Sequence, residues 1–229
     1  MEHCTATLNA GAGVNVPGTG SGGAPGTGGA TISHCAAHRN TGSGIQGAHA
    51  AVIACSINYN GQSGINLNNS SVFDCEARGN SLHGFTGGGI IFSRCKTRSN
   101  GQDGFNVFEG TILDSCNSRG NNGDGIECEK EVTVQNCHVE DNNIDGTGAD
   151  VGIRVVLNDC RIEGNTVVGN LGVGIFGAAG ATGNVIVSNR ASGNSGGDYS
   201  FAGANFVGTV VTTQAAMNAA TNSLVNLSY

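Results

Sequence analysis

Tryptophan is absent from this 229-residue chain, tyrosine occurs only three times and proline twice. So few aromatic rings argue against an aromatic-lined sugar platform or a base-stacking surface for nucleic acid. Charged residues make up only 12%, and the net charge of −7 excludes generic binding to DNA or to anionic lipid. No apolar run reaches membrane-spanning length, and Met1-Glu2-His3-Cys4 has neither the basic nor the apolar region of a secretory signal. Zinc-type Cys-x-x-Cys pairs are also missing.

Glycine, by contrast, is abundant, at 40 residues. It lacks the three-residue period of collagen, and 38% hydrophobic residues with little charge can supply a core. Length alone allows one large domain or two modest ones.

Eight of the nine cysteines form one series: Cys4, Cys35, Cys55, Cys75, Cys95, Cys116, Cys137 and Cys160. Five residues after each comes an asparagine, from Asn9 and Asn40 through Asn142 and Asn165. Nine and ten residues after the early cysteines comes glycine plus an apolar residue, as in Gly44-Ile45, Gly84-Phe85 and Gly125-Ile126. Three residues before the cysteine runs Ile32, Val52, Val72, Phe92, Leu113, Val134, Leu157. Four columns in phase define a repeat of about twenty residues.

Each repeat holds only short alternating apolar runs punctuated by Asn and Gly, which reads as short strands and tight turns. One such coil cannot bury its apolar side chains; stacking coils at strand spacing, ~4.8 Å, buries them in continuous columns. The expected fold is all-β: a single-domain right-handed parallel β-helix of about nine coils of 20–23 residues. Repeats should span 1–204, with a Gly-rich loop at 15–30, insertions in the coils at 142–174, and a capping segment at 205–229.

The columns Cys-x4-Asn-x3-Gly-Ile, with Asn158-Asp-Cys-Arg-Ile-Glu-Gly-Asn165 and Asn194-Ser-Gly-Gly-Asp-Tyr199, resemble bacterial right-handed β-helix repeat proteins of the pectate-lyase-like superfamily. That resemblance implies the fold strongly and an activity weakly, because its members include lyases, glycoside hydrolases, alginate epimerases and phage tailspikes. With no signal at Met1, a fragment of a longer extracellular or cell-surface protein is expected.

The cysteine column reads as a packing ladder of inert thiols, with Cys128 also pointing inward. The asparagine column reads as a turn ladder whose amides bond backbone and one another. The outward residues carry more chemistry. One strand face runs Gln46, Asn66, Thr86, Asn106, Glu127, Arg154, and the residue before each glycine runs Ser43, Ser63, His83, Asp103, Asp124. In the resembled enzymes such a face with its flanking turns forms a polysaccharide groove. His83, Asp103, Asp124, Glu127 and Arg154 are therefore the candidate catalytic residues. Paired carboxylates divide acid and base work, and an arginine neutralises an acidic sugar. Asp124, Glu127 and Asp150 are the candidate ligands for Ca2+, although no cofactor is required and no calcium motif is present. The competing account makes Asp103 and Asp124 ordinary turn residues before glycine, and His83 a solvated turn side chain.

A basic stripe, Arg78, Arg98 and Arg119 with Arg94 and Lys96 beside it, reads as a solvated face relieved by Asp74–Arg94 and Glu76–Lys96 pairing, or as a site for an anionic glycan. Two functions stay open. One is a module that binds and processes an acidic polysaccharide, with lyase or epimerase chemistry. The other is a non-catalytic structural or adhesive solenoid of a cell surface or phage fibre, self-associating end to end. Nucleic acid and membrane insertion are not expected.

Overall fold

A computed structural model describes residues 1–17, 29–146, 150–212 and 224–228. The described residues contain strands and turns and no helix. All strands pair in parallel, and they sort into three sheets that wrap one core. Sheet I runs from Thr5–Thr7 through Asn226–Ser228 to Val210–Val211 and includes the strand after each early cysteine; it has eleven strands among the described residues. Sheet II gathers the Gly-Ile strands, from Val14–Val16 through Phe105–Phe108, Ile126–Cys128 and Ile153–Val155 to Tyr199–Phe201. Sheet III runs from Ala30–Ser33 to Phe206–Val207; sheets II and III have nine strands each. This is the single-domain β-solenoid that the columns predict.

Alternation turns the middle residue of most sheet I and sheet III strands inward, and the first and third residues of sheet II strands such as Ile126–Cys128 and Ile153–Val155. Sheet III buries Ile32, Val52, Val72, Phe92, Leu113 and Val134, while sheet II buries Ile45, Ile65, Phe85, Phe105, Ile126 and Ile153. Phe85, Phe92 and Phe105 meet with ring centroids 5.3–5.6 Å apart. Each such side chain contributes roughly 1.5–3 kcal/mol by burial, so the apolar columns hold the stack together.

All three corners follow one rule. A residue at positive φ, such as Arg94 (53°), Ser99 (54°) or Asn69 (46°), turns the chain, and the next residue points inward. A buried corner amide cannot go unpaired, so it finds an acceptor in the next coil's corner side chain. At one corner Cys35 N lies 3.4 Å from Cys55 Sγ. At the next, Asn80 N donates to Asn100 Oδ1 at 3.0 Å. At the third, Ala50 N donates to Ser70 Oγ at 3.0 Å. Sulfur, amide oxygen and hydroxyl are interchangeable here because each presents an acceptor on a short side chain.

The rule corrects two expectations. Cys160 lies at the corner before sheet III, level with Val132, because Arg161 pairs with Thr133. The residue that stacks on Cys137 is Asn165, whose Oδ1 accepts from Cys137 N at 2.8 Å. Likewise Leu157 is exposed, and Ile162 fills the apolar column beside Val134. The asparagine ladder passes from Asn142 to Asn170 and Asn194. Cys4 is also exposed, unlike the other eight thiols. The Gly-rich loop at 15–30 falls largely on residues 18–28, outside the described residues. In the 205–229 segment, Phe206–Val207 adds to sheet III and Asn226–Ser228 to sheet I.

The glycine column exists because coils approach closely there. A Cβ on Gly84 would sit 2.6 Å from Gly104 O and 2.9 Å from Asn100 Nδ2.

Candidate functional site

Turn and strand of four successive coils bring the predicted residues to one face of sheet II. In-register pairing stacks Asn106 on Glu127 and Glu127 on Arg154. His83, Asp103 and Asp124 occupy the turns that enter these strands. They line an open hollow of ≈ 430 Å³ with Asn106, Glu127 and Asp150. A wider hollow of ≈ 540 Å³ lies on sheet III, but His49 is the one ionisable side chain among its lining residues. Volume therefore points away from the chemistry, and the titratable groups decide in favour of sheet II.

His83 Nδ1 lies 3.0 Å from Asp103 Oδ2, off the line a ring N–H needs, so it has no in-line hydrogen-bond partner. Asp103 is further held by Asn106 Nδ2, which donates at 3.2 Å to it and 2.9 Å to Glu127 Oε1. The Asp124 backbone N–H donates to Asp103 Oδ1 at 2.8 Å.

Asp124 is 1% exposed, far less than an ordinary turn aspartate. Its carboxylate takes Arg154 Nε at 2.5 Å and Nη2 at 3.0 Å, and the Val151 amide at 2.5 Å. Burial pushes its pKa to about 7, against the opposing pull of Arg154. Burial lowers the Arg154 pKa, but Asp124, Glu127 and Asp150 outweigh it and hold the guanidinium above its ordinary value. The two shifts describe one pair from both ends: the carboxylate loses more hydration than the guanidinium returns, and the guanidinium stays charged. Glu127 is raised by burial and then by the Asp103 charge; Asp150 is raised by burial.

The candidate calcium ligands test differently. Arg154 stands among all three, 3.5 Å from Glu127 Oε2 and 3.8 Å from Asp150 Oδ1 besides its bidentate contact with Asp124. A guanidinium thus holds the position a cation would need, and both Asp124 oxygens are already engaged. The set does not fit Ca2+. Among the described residues, the three-ligand group within 4.8 Å is Glu2, His3 and His34, all exposed.

Sequence reading placed the five catalytic candidates together, and they do converge. It did not single out Asn106, although that residue stood in its outward column, nor Asp145, which also lines the hollow.

The sequence matches the family model described as right handed beta helix region over residues 46–224. No curated protein matches it in sequence. Solved structures of similar fold include the A-module of Azotobacter vinelandii mannuronan C-5 epimerase AlgE6, at 18% identity and TM-score 0.59 over 86% of this chain and 56% of that one. The periplasmic alginate epimerase AlgG matches at 15% identity and TM-score 0.62, over 86% of this chain and 54% of that one. Pectate lyase Pel9A matches at 14% identity and TM-score 0.51, over 88% and 68%. The chain thus spans little more than half the length of these epimerases.

Proposed function

The chain belongs to the right-handed β-helix family, and on that footing we propose that it binds an acidic polysaccharide on sheet II and processes it by lyase- or epimerase-type proton transfer. The observation that carries the reading is the convergence of His83, Asp103, Asp124, Glu127 and Arg154 across four coils of one face. The fold likeness to two alginate epimerases and a pectate lyase agrees with it.

The reaction class is abstraction of the hydrogen next to a sugar carboxylate. His83 is the base: Asp103, 3.0 Å from its Nδ1, stabilises the imidazolium that forms, leaving Nε2 for the substrate. The half-buried Arg154 stabilises negative charge developing on the sugar carboxylate, and Asp124 fixes its plane through two contacts. Glu127, with its pKa raised by burial, is the proton donor for the opposite face in an epimerase. In a lyase the same intermediate expels the neighbouring sugar oxygen instead.

The test is incubation with alginate, pectate and glycosaminoglycans in D2O, with and without Ca2+. We expect deuterium next to the uronate carboxylate, or absorbance of an unsaturated product, and loss of either in His83→Ala. Absence of exchange, product and binding with every polymer would remove this reading and leave a structural solenoid.

A further inference from the structure

The site on sheet II poses an electrostatic problem. Asp103, Asp124, Glu127, Asp145 and Asp150 outnumber the one arginine beside them, so the hollow by itself holds a polyanion weakly. A chain of net charge −7 needs an attractive surface elsewhere to hold one.

That surface lies on sheet I. Strand register stacks Arg78 on Arg98 and Arg98 on Arg119. Arg119 is neutralised by Glu140 at 3.4 Å and Asp141 at 3.2 Å. Arg94, in a neighbouring column, is paired with Asp74 at 2.8 Å. Among the described residues, Arg78 and Arg98 have no carboxylate within 4 Å. Lys96 lies level with Glu76, but the expected Glu76–Lys96 ion pair does not form. Stacked like charges at strand spacing are unfavourable, so leaving these two stacked guanidiniums without a carboxylate, while Arg94 and Arg119 are paired, carries a cost.

A second observation lies beside them. Tyr59, 51% exposed, spreads its ring over Gly79, where a Cβ would come within 2.6 Å of ring carbon Cε1. Gly79 directly follows Arg78, so the Tyr59 ring lies over the backbone next to the arginine column. Arg39 is exposed one coil beyond Tyr59 in the same turn column. Guanidinium groups in a row along the solenoid axis, ending on an aromatic face, suit sugar rings that carry an anionic group at successive units.

We propose that Arg78, Arg98 and Tyr59 form a binding surface for a linear anionic polysaccharide, separate from the carboxylate site. It takes from the proposed function only the acidic nature of the substrate. The surface adjoins sheet II across the asparagine-ladder corner, so a polymer held there is retained near a hollow that alone would hold it weakly.

The test is titration of the full chain, at low and high salt, with polygalacturonate, chondroitin sulfate and dextran. We expect salt-sensitive binding of the two anionic polymers and none of dextran. Better binding of the first assigns the surface to carboxylates, and of the second to sulfate esters. Replacing half-buried Arg78 or exposed Arg98 by Gln should in each case weaken binding about tenfold, the worth of a charge-assisted bond. Arg161→Gln, which removes an exposed arginine of sheet III outside both sites, should bind as tightly as the parent. Parent protein that binds neither anionic polymer, or an R78Q/R98Q variant that binds like it, overturns the proposal. Turnover measured on the same samples separates the two readings: absent turnover with arginine-dependent binding removes the reaction and leaves the surface.

Discussion

Replacing Asn100 by alanine should remove four hydrogen bonds from the centre of the solenoid. Asn100 Oδ1 accepts from the Asn80 backbone N and from Asn80 Nδ2, each at 3.0 Å. Its Nδ2 donates to Ala77 O at 3.2 Å and Asn121 Oδ1 at 2.9 Å. Asn80 Nδ2 keeps Ile57 O, and Asn121 Oδ1 keeps the Asn100 backbone N, so the Asn80 amide is the group stranded outright. At about 1 kcal/mol net per bond the cost is about 4 kcal/mol, a large share of the 5–15 kcal/mol typical of a domain. Asn100→Asp should be worse at neutral pH, since a carboxylate would face two acceptors. Its folded pKa would be raised, so its stability should be greatest below pH ~4 and fall as pH rises through the folded value. Exposed Asn66→Ala is the control, expected within about 0.5 kcal/mol. Urea melts followed by circular dichroism give the magnitude, and native-state hydrogen exchange shows where it falls. Protection should drop most at Asn80 and its neighbouring coils, because each coil touches only the next. A loss under 1 kcal/mol, or unchanged exchange at the Asn80 amide, would refute the ladder argument.

Other outcomes follow from the same structure. Asp124, with its pKa raised to about 7, should make the parent most stable below pH ~4 and less so as pH rises to about 7, by an upper limit on the order of 4 kcal/mol. Asp124→Asn should flatten that slope in pH-dependent melts; an unchanged slope would show that Asp124 does not carry it. A water-soluble thiol reagent should label Cys4 in the native protein and the eight buried cysteines only on unfolding, because burial denies the reagent access to them even at Cys55, whose pKa the Cys75 thiol lowers. Fast labelling of a second thiol would contradict the ladder. Gly84→Ala should cost about 1–3 kcal/mol by overpacking against Gly104 O, and a neutral result in thermal melts would mean the coils can part there.

The stack was legible because burial on a solenoid repeats the same demand at each coil, so Cys, Asn, Gly and Ile recur in phase. Reading failed where one demand had two chemical answers. Cys160 and Asn165 mimic the Cys-x4-Asn spacing, yet Asn165 meets the Cys137 amide that a cysteine meets elsewhere. A spacing rule cannot distinguish Sγ from Oδ1 when both serve the same donor. For the site, alternation already put Glu127 and Arg154 outward on one face. The bidentate grip of Arg154 on Asp124 was not visible, because it depends on how a turn residue tucks inward beside the inserted segment.

The asparagine ladder also bears on chemical ageing. Asn60 and Asn100 each precede a glycine, the neighbour that least obstructs attack of the backbone nitrogen on the side-chain amide. In the folded chain both amides are pinned by hydrogen bonds and buried, which blocks that cyclisation. Deamidation at these positions should therefore occur only while a coil is open, and each event would install the aspartate that the ladder cannot accommodate. The rung would then act as a record of past unfolding: mass spectrometry should find deamidated Asn100 in the insoluble fraction of a stored sample and not in the soluble one. Equal levels in both would show that the corner is open in the native state.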